Sequence, residues 1–122
     1  MKINLNSQPH TTVPKLASYF GGGDKGIKSA IIFYVIALTA FKSDDPQAIV
    51  ALSERWLIET YGYFEDGREE TLDVFDVLNF LKDCGDIQLE YSVHDSNILK
   101  VNITDKGLEV LSLATSSHIV KQ

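Results

Sequence analysis

The apolar period of this chain changes at Gly85, and that change constrains its fold more than any other feature. From Ile27 to Lys82 apolar residues recur at spacings of three and four; beyond Gly85 they alternate with polar ones. The first pattern lays a stripe along a helix, and the second lays one face of a strand against a core. A chain carrying both in this order is expected to be α+β, with helices first and a hairpin after them.

Downstream of Gly85, Ile87, Leu89, Tyr91 and Val93 alternate with Gln88, Glu90 and Ser92, and Leu99, Val101 and Ile103 alternate with Lys100 and Asn102. For both apolar sets to share a face, Val93 must pair with Leu99 and His94 with Ile98. That predicts a hairpin over 86–103 closed by the turn Asp95-Ser96-Asn97, with Asn97 suited to a left-handed position. Thr104 follows as a helix N-cap, and Leu108, Leu111 and Leu113 begin a short terminal helix. The polar tail, 115–122, is expected to fray.

Upstream, the spacing predicts a helix over 27–41, with Ile27, Ala30, Ile31, Tyr34, Leu38 and Phe41 on one face. Ser43-Asp44-Asp45-Pro46 is a boundary, since an aspartate can cap a helix whose first turn tolerates proline. A second helix is therefore expected over 46–61, with Ile49, Leu52, Trp56 and Leu57 inward and Gly62 as its stop. A third is expected over 69–84, with Leu72, Phe75, Leu78 and Leu81 inward, and Trp56, Phe75 and Leu78 meeting in the core. Residues 1–26 read as irregular, because Pro9 and Pro14 oppose a regular helix and Gly21-Gly22-Gly23 marks a turn. A short strand at Lys2–Asn6 is the one element expected there. The globular part is thus placed at 27–114.

Composition narrows the function classes. With 122 residues and 44% hydrophobic content, the chain can bury a core without disulfides or metal. Cys84 is the single cysteine, which points to a reducing, cytoplasmic setting. His10, His94 and His118 lie too far apart for the short spacings of zinc ligands, so no metal is expected. The first residues lack the apolar run of a signal peptide. The most apolar stretch, Ile27 to Phe41, is too short to span a bilayer, so no membrane association is expected.

Catalytic constellations are absent from the pattern. Gly21-Gly22-Gly23-Asp24-Lys25-Gly26-Ile27-Lys28-Ser29 misses a phosphate-binding loop because Ile27 separates Gly26 from Lys28. Cys84 falls in the last turn of a helix, where the dipole opposes a thiolate, and reads as a structural thiol. Neither a catalytic residue nor a cofactor is expected, and the chain reads as a non-enzyme.

Charge is the informative quantity. The net charge is −6, and residues 62–122 hold twelve Asp/Glu against five Lys/Arg, whereas residues 1–61 hold five against six. The acidic excess thus lies wholly in the second half. Such a surface steers basic partners toward it and repels nucleic acid. The expected docking set is Glu65, Asp66, Glu69, Glu70, Asp73 and Asp76, with the aromatics Tyr63 and Phe64 as anchors. The bland account of the same residues is a solvated acidic helix face.

Three helices followed by a two-stranded hairpin and a short helix resemble the winged helix-turn-helix family. The run Asn102-Ile103-Thr104-Asp105-Lys106-Gly107-Leu108-Glu109-Val110-Leu111 resembles the segment after the wing in such regulators, where apolar-Thr-x-x-Gly-x-x-apolar is frequent. The resemblance covers roughly 27–114 and implies a DNA-binding regulator, as a homodimer, with the third helix as reader. The charges oppose that role, because from Arg68 to Asp83 two positive side chains face five negative ones. In size, charge and lack of motifs the chain is also similar to small acidic bacterial toxin-immunity proteins. That likeness implies a stoichiometric inhibitor of a basic, nuclease-like protein.

Overall fold

The computed structural model describes residues 9–65, 73–91 and 98–115. In chain order these form α1 (Pro9–Tyr19), α2 (Gly23–Phe41), β1 (Val50–Ser53), α3 (Glu54–Glu65), α4 (Val74–Asp83), β2 (Ile87–Tyr91), β3 (Ile98–Ile103) and α5 (Asp105–Thr115). The strands make one antiparallel sheet in the order β1-β3-β2. The architecture is α+β, as the change of period predicts. No described helix is long and apolar enough to cross a membrane.

α2 is the centre of the core. Every residue from Ser29 to Ala37 is buried, which follows from apolar residues on all sides of the helix. It packs on α1, α3, α4, β1 and β3. Its start differs from expectation. The helix begins at Gly23, and Ile27 is exposed rather than inward.

The expected irregular N-terminal segment is instead helical from Pro9. Proline at the first helical position gives up an N–H that would have no intrahelical partner anyway. Pro14 does remove a helix hydrogen bond. Its pyrrolidine is exposed, however, and Thr12, Leu16, Ala17 and Phe20 still form a buried stripe. Burial of that stripe against α2 outweighs the lost bond. Gly21, Gly22 and Gly23 all have positive φ, which lets the chain reverse between α1 and α2 in three residues. The strand expected at Lys2–Asn6 lies outside the described residues.

The expected second helix is divided. Residues 50–53 form β1, whose Val50 and Leu52 are buried and whose Ala51 is exposed, an alternation too short to stand out from a helical stripe. β1 pairs with β3 through Val50↔Val101 and Leu52↔Leu99. The Ser53 hydroxyl then accepts the Trp56 N–H at 3.0 Å and starts α3. Shifting the helix start from Pro46 to Glu54 turns its apolar positions. Leu57 and Tyr61 are buried, whereas Ile49 is 67% and Trp56 39% exposed, so neither is the core residue expected. Asp45 organises a turn, its carboxylate accepting the Gln47 N–H at 3.0 Å, rather than a helix cap. α3 also continues past Gly62, which is not its stop.

α4 buries Val74, Val77, Leu78 and Leu81; Phe75, expected in the core, is half-buried beside it. The β2–β3 register is Ile87↔Ile103, Leu89↔Val101 and Tyr91↔Leu99. Leu99 therefore pairs with Tyr91 and not with Val93. A shift of two residues keeps every side chain on its face, so the alternation alone does not choose between the registers. The turn expected at Asp95–Asn97 lies outside the described residues. α5 begins after Thr104 as expected, with Leu111 buried but Leu113 67% exposed.

Candidate docking face

α4 begins at Val74 because Asp73 is extended and caps it. The Asp73 carboxylate accepts the Asp76 N–H at 3.1 Å, and the Asp73 carbonyl accepts from Val77 N–H at the same distance. With Val74, Val77, Leu78 and Leu81 turned inward, the opposite side of the helix carries Asp73, Asp76, Asn79, Lys82 and Asp83 to solvent. Among the side chains of α4 and its cap, three carboxylates thus stand against one lysine on that face.

Of the expected docking residues, the structure brings Asp73 and Asp76 together at the start of α4. Tyr63, Phe64 and Glu65 occupy the last turn of α3, with their side chains outside the described part. Asp66, Glu69 and Glu70 lie outside the described residues altogether. Two further participants escape a local reading of the sequence. Lys25, on the first turn of α2, places its ammonium 2.8 Å from the Asp76 carboxylate, a pairing across distant segments that no local spacing announces. Phe80 follows Asp76 by one helical turn, and the Lys25 ammonium lies 5.1 Å from its ring centroid. Behind Phe80 stands Phe20, edge to face at 6.2 Å, and Phe20 meets Phe33 of α2 at 5.7 Å. The face is therefore anchored to the core by a row of aromatic rings.

The other end of α4 is closed by α5. Lys106 donates from its ammonium to the Cys84 carbonyl, and the Thr104 hydroxyl donates to the Gly85 carbonyl at 2.6 Å. The Cys84 thiol is pushed above its ordinary pKa by burial, then by Asp86 and Asp83, with Lys106 opposing. That setting suits a structural thiol, half-buried rather than fully buried. Asp86 is wholly buried, and neither of its carboxylate oxygens has a hydrogen-bond partner among the described residues. Burial raises its pKa, with Lys106 acting the other way.

The outer face of the sheet offers a shallow groove of about 240 Å³ between Ile49, Gln88, Leu89, Glu90, Lys100 and Asn102. Its one carboxylate and one ammonium sit on directly paired residues, Glu90↔Lys100, an ordinary cross-strand charge pair. Among the described residues, no three His, Cys, Asp or Glu side chains gather where a metal could bind. Compared with known proteins, the chain matches no family model, no curated relative and no solved structure.

Proposed function

We propose that this chain is a non-catalytic protein-docking module that meets a basic protein through the acidic face of α4 and the segment leading into it. One observation carries the reading. The outer face of α4 exposes Asp73, Asp76 and Asp83 against Lys82 and the Lys25 that reaches Asp76, an acidic balance on a helix rooted in the core. A surface of this sign accelerates encounter with a cationic partner and disfavours phosphates. The partner class it fits best is a nuclease-like basic protein, held stoichiometrically in the manner of an immunity protein. Carboxylates would then stand where substrate phosphates otherwise sit, and Tyr63 and Phe64 would anchor the contact.

The element order α2-β1-α3-α4-β2-β3, with β1 beside the hairpin, supports a winged-helix reading and keeps a DNA-binding regulator as the second reading. In that arrangement α4 takes the DNA-reading position, and its charge is the wrong sign. Lys25 offsets one of its carboxylates, Asp76, and still leaves the face acidic, while Lys28 is turned to Asp24 of its own helix at 2.9 Å.

The test is a variant with Glu69→Gln, Glu70→Gln and Asp76→Asn. Wild-type chain should bind a basic protein one to one, and the variant should associate more slowly. The defect should shrink as salt rises above about 0.15 M, where screening removes steering. Stronger binding of the variant to duplex DNA, with all protein contacts unchanged, would make the regulator reading the correct one.

A further inference from the structure

We infer that the Asp76–Phe80 corner of α4 is a seat for an arginine side chain of the basic partner, and that Lys25 occupies this seat in the free protein. The inference rests on the docking reading and deepens it. A cation is already in place. The Lys25 ammonium sits 2.8 Å from a carboxylate oxygen of Asp76 and 5.1 Å from the centre of the Phe80 ring, inside the range of a cation–π contact. These two groups differ in rigidity from the cation they hold. Phe80 is backed by Phe20 and through it by Phe33, and Asp76 lies on a capped helix turn. Lys25, in contrast, reaches the corner on a flexible stem, and the paired side chains are 46% and 57% exposed. Exposed pairs of this kind are weak, so the lysine is easily displaced.

Arginine is the better occupant on chemical grounds. Its planar guanidinium can give two parallel N–H bonds to the Asp76 carboxylate and stack on Phe80, which an ammonium cannot do. Lys25 is thus a competitor built into the chain. It shields the seat and sets a threshold that a well-placed arginine passes.

The experiment is a titration of isotope-labelled protein with amidated hexa-arginine peptide at low salt, followed by backbone amide shifts. Wild type should show its largest shifts at Asp76, Phe80 and Lys25. Lys25→Ala should bind the peptide about three- to fivefold more tightly, the factor expected from releasing one exposed pair. Lys100→Ala, which removes the same charge from the sheet's outer face, should change affinity less. Asp76→Asn and Phe80→Leu should each weaken binding several-fold, with Phe80→Leu losing more against hexa-arginine than against hexa-lysine. Thermal melts establish that each variant is folded. If the peptide binds but its shifts avoid α4, or Lys25→Ala and Lys100→Ala act alike, the seat is wrong while docking by charge stands. If no variant binds the peptide, the charge-based docking reading fails with it.

Discussion

Gly107 lies directly beneath the carbonyl of Asp86. A β-carbon there would collide with that oxygen and come within 2.8 Å of the Ile103 Cγ2 atom. The contact locks the first turn of α5 onto the start of β2. Thr104 completes the joint, with its N–H donating to the Asp86 carbonyl at 3.1 Å and its hydroxyl accepting the Gly107 N–H at 3.1 Å. Backbone cannot yield as a side-chain tip can. Gly107→Ala should therefore destabilise the fold by about 1–3 kcal/mol, read as a lower urea midpoint. An unchanged midpoint would mean that the approach is looser than described.

The buried Asp86 carboxyl gives a pH signature. Burial holds its folded pKa above the unfolded value of about 3.9. Between those two values the folded state binds more protons than the unfolded one, so stability falls as pH rises through that window. Asp86→Asn removes this dependence. The difference in unfolding free energy, Asp86→Asn minus wild type, should become more positive as pH rises from about 4 and level off above the folded pKa. A difference independent of pH would show that Asp86 ionises as freely in the folded protein as in the unfolded chain.

Leu57 and Trp56 are neighbours with opposite fates, the first fully buried and the second 39% exposed. Leu57→Ala should cost about 2–5 kcal/mol. Trp56→Ala should cost less, despite deleting a larger side chain, because part of its surface stays in water in the folded state. Chemical denaturation of both variants checks the order, and a reversed order would return Trp56 to the core.

Cap and charge can be separated at Asp73. Asp73→Ala removes the acceptor for the Asp76 N–H and should cost about 0.5–2 kcal/mol, whereas Asp73→Asn keeps a capping oxygen and should cost much less. Any loss of partner binding by Asp73→Asn in a chain of near wild-type stability then reports on charge alone.

These contrasts also show what was readable in the sequence. The hairpin, the terminal helix and most of α4 and α2 were legible because each has a long run of one period. β1 was not, since Val50 and Leu52 also fit a helical stripe and what selects the strand is β3, far along the chain. α1 is hidden because Pro14, an exposed residue whose cost is local, argues against a helix, while the buried stripe that favours one gains only through tertiary packing. The hairpin register was open by two residues, since either choice keeps Leu99, Val101 and Ile103 inward. At the docking face, Asp73 and Asp76 were visible as charge. Lys25 was not, because only folding brings the start of α2 against α4.

β1 has a consequence for how the chain assembles. Its partners Leu99 and Val101 belong to the second half of the sequence, and its other edge has no neighbouring strand in the described sheet. A fragment ending before β2 would hold the α1–α2 pair but leave β1 without its ladder. Such a pairing is slow to form, since a long loop must close before its contacts can reward it. Once formed it ties the early helices to the late hairpin, so hydrogen-exchange protection at Leu52 and at Leu99 should be lost together, in one cooperative opening.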